Sequence, residues 1–478
     1  MTHGELPPDL GNQDLSGAGT VFRNRSFVLL WTAQLLSQLA SNMVLAALMA
    51  VVFRATGANT AIAVLILTFL VPAVAFSALA GVLVERSDAR LIMLATNVLR
   101  AVGVVLFIFV GTNVGLILLI NLFVATMTAV FAPAELTSIP RIVERRHLMA
   151  ANSVFVLTIN ATFAIGFGFL GPLLLTTASA EVVYVVVAIM FGLAAAAIVP
   201  LPAVMPGKHE EFGAGEAGRA LRAVFDQVNE GIRFVGQNKR IAWSLAYLGI
   251  AASLIGVMGA IGPGFATDIL RLSEEDFFFV MGPAGLGAVM GILFLNAYGK
   301  RIPRRLVIDI GLVAMGATLV ALAVVKPVVG FLSPAVQPIE QGLPAALAPI
   351  ISLIAIVVVI ALTAGVEYAF VAIPSQTALQ EELPVNVRGR IFGILNTLLS
   401  VASFLPVIAA PLAADLLNLL FPGAGIPWVM AILGGITLWA GVASWRHNDS
   451  MGLHARSVLE MQPADAPEAS SGGEDDAE

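Results

Sequence analysis

Residues 27–53 read FVLLWTAQLLSQLASNMVLAALMAVVF, 27 positions without a charged side chain. A helix rises about 1.5 Å per residue, so about 20 apolar residues cross a hydrocarbon layer of about 30 Å. This stretch is long enough to span a membrane. The acidic, polar segment before it lacks a basic region and a small-residue cleavage site, so it is expected to be a retained helix and not a signal peptide. Eleven more apolar runs follow, at 61–84, 91–110, 114–134, 150–177, 182–204, 241–266, 277–298, 306–325, 350–373, 391–414 and 426–445. Inside lipid every backbone polar group must be paired within its own segment, and runs this long and uniform satisfy that as helices, not as barrel strands.

Composition agrees. The chain has 478 residues, is 58% hydrophobic and 12% charged, and has a mean hydropathy of +0.93. A soluble domain carries about 25% charged residues. There is no Cys, which excludes disulfides, thiolate metal sites and Cys nucleophiles. The five His (His3, His147, His209, His447, His454) all fall outside the apolar runs, and no metal-ligand cluster is legible. The formal charge of −6 comes from six acidic residues of the tail, Asp465 to Glu478.

The expected fold is therefore an all-α membrane protein of twelve transmembrane helices in two six-helix halves. The organisation reads as a tail at 1–26, a first half at 27–204, a linker at 205–240, a second half at 241–445, and an acidic disordered tail at 446–478. With both termini on the inner, cytoplasmic side, 21 Lys and Arg lie inside and three (Arg54, Arg271, Lys326) outside, while Arg100 falls in a span. That asymmetry is a positive-inside signal. In the linker, Leu221, Val224, Phe225, Val228, Ile232 and Val235 share one helical face, opposite Arg219, Arg222, Asp226, Glu230 and Arg233. This is the pattern of an amphipathic helix on the inner membrane surface. Residues 326–349 hold five Pro and no clear period, which predicts an irregular outer loop.

The halves repeat one another. Arg86-x3-Arg90 after the second span and Arg301-x3-Arg305 after the eighth stand 215 residues apart, and Trp31 and Trp243 stand 212 apart. Repeated six-helix halves mark secondary transporters.

Three ionisable residues fall inside the runs as drawn: Arg100, Asp309 and Glu367. Such groups are functional candidates by default. Asp309 begins its span one turn from Arg305, where a carboxylate suits the helix N-terminus, so a structural role is expected there. Arg100 lies ten residues from Arg90, roughly 15 Å deep, and must find a partner such as Asn97; a structural tie and an anion or proton role both stand. Glu367 lies among Ala364, Gly365, Tyr368 and Ala369, roughly 9 Å inside the inner edge, and is the candidate proton carrier. Gln34, Gln38 and Asn42 form an uncharged stripe at i, i+4, i+8 that faces either a partner helix or a wet cavity. Asn121, Tyr247 and Tyr368 complete the substrate and coupling candidates.

Gly81-Val-Leu-Val-Glu85-Arg86-Ser-Asp88-Ala-Arg90 resembles the loop signature of the major facilitator superfamily, with Glu85 in place of the usual Asp and Asp88 in place of Gly. Phe131-Ala-Pro133-Ala, Ile139-Pro140-Arg141 and Gln376-x3-Gln380…Arg388-Gly389-Arg390 resemble its bacterial enterobactin-exporter and macrolide-efflux-like branch. The resemblance implies the superfamily fold, alternating access and proton-driven efflux of an amphiphilic small molecule from a bacterial inner (plasma) membrane. It implies a gating role for Gly81, Glu85, Arg86, Asp88 and Arg90 opposite Arg388 and Arg390. It also implies close helix packing at Gly168, Gly171 and Pro172, a partial match to the family's antiporter motif.

The expected partners are the lipid bilayer, protons and a small-molecule substrate, with no nucleic acid, no metal and no bound cofactor; the proton gradient is the expected energy source, and a monomer is compatible with the sequence. An uptake facilitator, a lysolipid transporter or a transporter-like sensor remains a rival. A membrane enzyme is disfavoured because no catalytic carboxylate pair or intramembrane His is legible, and an ATP-driven pump because no phosphate-binding Gly-x4-Gly-Lys loop exists.

Overall fold

A computed structural model describes residues 20–144, 147–203, 229, 231–328, 331, 348–381 and 388–450. Among these residues the protein is helical and has no strand. The first half comprises α1 (Arg25–Thr56), α2 (Asn59–Arg86), α3 (Ala89–Val110), α4 (Val114–Ile142), α5 and α6 (Ala180–Ile198). The fifth helix is composite, running Leu148–Thr162, then a π stretch Phe163–Leu170, then Gly171–Thr177. The second half comprises α7 (Lys239–Phe265, prolonged by the π turn Ala266–Leu270), α8 (Phe278–Tyr298), α9 (Arg304–Ala323), α10 (Ala348–Glu381), α11 (Arg388–Leu420) and α12 (Gly425–Ser450). Eleven helices are long and apolar enough to cross a membrane among the described residues; within α2 the corresponding apolar stretch is Asn59–Ala73.

Local chemistry sets the helix ends. Asn24 caps α1, its side chain accepting from the N–H of Ser26 (3.0 Å) and Phe27 (3.3 Å). Gly57 closes α1 at φ +63°, where its N–H reaches the Phe53 carbonyl (2.7 Å). Asp88 caps α3 through the Arg90 N–H (3.0 Å), and Asn113 caps α4 through the Leu116 N–H (3.2 Å). In α5 the Gly171 N–H bonds the Gly166 carbonyl, and Pro172 has no N–H for the preceding turn, which is where the π stretch ends.

The two halves use the same packing scheme. In the first, α2 lies on α4, and α3 lies on α4 and α6; in the second, α8 lies on α10, and α9 lies on α10 and α12. Small residues permit these contacts, as expected where lipid gives helices no hydrophobic reason to associate. A Cβ at Gly291 of α8 would stand 2.6 Å from the Ala369 Cβ of α10. Large apolar side chains such as Phe109 (78% exposed) and Trp439 (73%) cover the outer flanks, as a lipid-facing surface requires.

Several boundaries differ from the sequence expectation. The fourth run continues as α4 through Pro133 and Pro140 to Ile142, and the eleventh continues as α11 to Leu420. The sixth stops earlier, at Ile198, ahead of Pro200 and Pro202. Ala348 and Pro349, expected in the outer loop, begin α10. Most of that loop, most of the amphipathic linker and the acidic tail beyond Ser450 lie outside the described residues. Of the described linker residues, 231–237 are helical and Lys239 and Arg240 begin α7, and Phe234 and Val235 pack against Ile241, Leu245, Leu379 and Leu395.

Candidate functional site

The buried apolar clusters show how the halves meet. One cluster crosses from half to half, joining Met43, Phe53 and Phe167 to Ile261, Phe277, Ala414 and Ile426. At the opposite ends of the helices there are two separate clusters. One holds only first-half residues, including Phe27, Met93, Phe131 and Phe155, and the other only second-half residues, Ile241, Leu245, Leu379 and Leu395. Among the described residues, the halves thus share one apolar cluster at the end that charge counting places outside and keep separate clusters at the other.

The joined end has its own polar locks. Ala58 offers α2 no capping side chain, and Asp415 of α11 caps that helix from the other half. Its Oδ1 accepts from the Asn59 N–H (3.1 Å) and Asn59 Nδ2 (2.8 Å), and its Oδ2 from the Thr60 N–H (2.6 Å). Arg54 and Glu274 form an ion pair beside it. Phe167, in the π stretch of α5, meets the Phe277 ring at 5.9 Å between centroids.

The α1 stripe runs along the packing surface of α5. Gln34 is buried and its Oε1 is enclosed without a hydrogen-bond partner. Gln38 and Asn42 are half-buried, and a Cβ at Gly166 of α5 would stand 3.0 Å from the Asn42 Cβ. Gly168 comes close to the Met281 carbonyl of α8 across the halves, and Gly171 lies against Ala46 and the Met43 carbonyl of α1. Asn121 is committed elsewhere: its amide donates to the Thr68 hydroxyl (2.6 Å), tying α4 to α2.

Arg100 is buried within the first half. Its Nη2 donates to Asn97 Oδ1 (2.8 Å) and its Nε to the Thr96 carbonyl (3.4 Å). Its guanidinium lies over the rings of Phe131 (4.5 Å) and Phe191 (4.7 Å). The acidic group that acts on it is Glu135 of α4, also buried, which the sequence analysis left outside its spans. The fourth apolar run ends at Ala134, one residue before this charge. The signal available was the i, i+4 spacing of Phe131 and Glu135, which puts both on one face of a continued helix.

In the second half, Asp309 is fully buried and accepts from Ser444 Oγ (2.5 Å) and Asn448 Nδ2 (2.8 Å) of α12. Tyr247 Oη of α7 shares a hydrogen bond with Ser444 Oγ (2.7 Å). Tyr247 therefore sits in a network joining α7, α9 and α12. Glu367 of α10 stands apart. Its Oε1 accepts from Thr318 Oγ1 of α9 (2.8 Å), and its Oε2 is enclosed with no hydrogen-bond partner. Tyr368, half-buried, packs against the cluster that joins the halves.

Of the loop residues, Asp88 caps α3 and Arg90 bonds the Val199 carbonyl at the end of α6. Arg86 is half-buried at the end of α2. The surroundings of Gly81 and the side chains of Glu85, Arg388 and Arg390, and so the expected bridge between them, lie outside what is described. Among the described residues no cluster of metal-ligating side chains is present.

A family model described as Major Facilitator Superfamily matches residues 30–407. An uncharacterized MFS-type transporter, YfiS, of Bacillus subtilis (strain 168) is 23% identical over 420 residues, covering 87% of this chain and 94% of that protein. Among solved structures, the nucleoside transporter NupG has a TM-score of 0.62 at 13% identity, covering 88% of this chain and 99% of its own. A bacterial homolog to the human lysosomal transporter Spinster, inward-facing and unoccupied, has a TM-score of 0.58 at 13% identity, covering 92% and 98%.

Proposed function

We propose that this chain, which belongs to the Major Facilitator Superfamily and is a multi-pass membrane transporter of that fold, exports an amphiphilic small molecule in exchange for protons. It works by alternating access, the halves rocking about a midplane site. The shared cluster at one end and the separate clusters at the other support an inward-open resting state. Charge asymmetry supports cytoplasmic termini, and the efflux-like stretches support a bacterial inner membrane. The proton gradient drives the cycle, without a bound cofactor or a nucleic-acid partner.

Proton coupling rests on Glu367. One carboxyl oxygen holds Thr318, while the other is enclosed and orphaned. A structural carboxylate would have both oxygens satisfied, as at Asp309. The orphaned oxygen is an open place for a proton. Gln34, Gln38, Asn42 and Tyr368 are the substrate contacts we assign, amides and one phenol that suit a neutral or weakly cationic molecule. Asn121 and Tyr247 are already engaged in ties within their own halves.

The test uses everted vesicles with a respiration-generated pH gradient and a pH-sensitive dye. Addition of a panel of amphiphilic compounds should release protons through the wild type, and Glu367→Gln should abolish that release. Full proton-coupled transport in Glu367→Gln would sink the assignment. Compound binding without any proton release in the wild type would favour a facilitator or a sensor.

A further inference from the structure

We propose that Glu135 is a second proton-binding site, housed in the first half beside Arg100 and separate from Glu367. The site is built from three helices. Phe131 and Glu135 follow one another by a turn on α4, Arg100 comes from α3, and Phe191 comes from α6. Glu135 is 6% exposed, and its Oε1 is enclosed with no hydrogen-bond partner. Among the described residues of α1, α2, α3 and α5, the helices that pack on α4, Arg100 is the charged group that acts on it. Among the described contacts Arg100 bonds Asn97 and Thr96, and none joins it to Glu135.

The arrangement differs from a structural salt bridge. A guanidinium keeps its proton, so Arg100 remains a cation wherever it is buried. An ionised Glu135 makes the couple neutral. A protonated Glu135 leaves one positive charge, which the faces of Phe131 and Phe191 and the oxygens of Asn97 and Thr96 receive. A desolvated cation is attracted to the face of an aromatic ring, so two such contacts offset part of the missing counter-charge. Both protonation states are therefore accommodated, and they differ by one charge in a site without water-like screening. A permanently paired couple would be drawn into contact with both carboxylate oxygens satisfied. Glu135 lies six residues from Arg141 on α4, roughly 9 Å along the axis, which places its proton exchange toward the divided, inner end.

Proton binding at Glu135 stands on this geometry alone; its use in transport rests on the exchange reading above. The test is infrared pH-difference spectroscopy on the full chain in lipid, without substrate. The wild type should show two titrating protonated-carboxyl signals in this interior, one lost in Glu135→Gln and the other in Glu367→Gln. Arg100→Gln should displace the midpoint of the first and not of the second. A Glu135→Gln spectrum identical to the wild type overturns the proposal. Loss of the first signal with no change in Glu367→Gln supports Glu135 and counts against Glu367 as the coupling residue. Where Glu135→Gln does not fold, Phe131→Leu keeps the carboxyl and removes one ring from Arg100. It should displace the same midpoint, and an unmoved midpoint overturns the proposal.

Discussion

Asp309 and Glu367 are both carboxylates in spans of the second half, yet their surroundings differ. Asp309 gives one oxygen to Ser444 and the other to Asn448, so its charge goes into holding α9 against α12. Asp309→Ala strips these donors of their acceptor. Hydrogen bonds to a charged group are worth about 1.5–3 kcal/mol, and a loss of that size is expected in thermal unfolding of the purified protein. Proton release per folded molecule should persist. An Asp309→Ala protein as stable as the wild type but unable to couple would exchange the two roles. The sequence places Asp309 at a helix start, which predicts a structural role there. Its partners were not, because Ser444 and Asn448 lie 135 and 139 residues away and only tertiary packing brings them near.

Among the elements, α5 shows most clearly how packing is written into small residues. A Cβ on Gly171 would stand 3.0 Å from the Ala46 Cβ and 3.1 Å from the Met43 carbonyl, so α1 leaves no room for a side chain. Overpacking of this kind costs about 1–3 kcal/mol, and Gly171→Leu should lower the unfolding temperature accordingly. Gly192 of α6 has open space at the same position and serves as the control. Equal effects of Gly171→Leu and Gly192→Leu would contradict the close α1–α5 contact. The helices themselves were legible as apolar runs, but their ends were not. The apolar runs end at the first charge, at Ala134 before Glu135 and at Ala414 before Asp415. Helix continuation depends on backbone hydrogen bonds, not on hydropathy, so α4 and α11 pass through those charges. The residues outside the runs for this reason are the buried Glu135 and Asp415, the cap of α2.

For the whole molecule, one apolar cluster spans the halves at the joined end and two stand apart at the other. This division is what alternating access must reverse. The sequence showed two repeated halves but could not show which end was closed, since both states bury similar surfaces with the same residues. Asp415 holds the present state by capping α2 in trans, and loss of a cap costs about 0.5–2 kcal/mol. A bias of 1–2 kcal/mol changes a population ratio by roughly 5–30-fold. The chain has no Cys, so spin labels can be placed without removing native residues. The most direct measurement is the distance distribution between labels at Ala55 and Leu419 on the joined end, and at Ala203 and Ala297 on the divided end. Alternating access requires Asp415→Ala to lengthen the first distance and shorten the second together, with pH changing the same balance in the wild type. Distances that stay fixed at every pH and in Asp415→Ala, or that both grow, would contradict a rocking transporter.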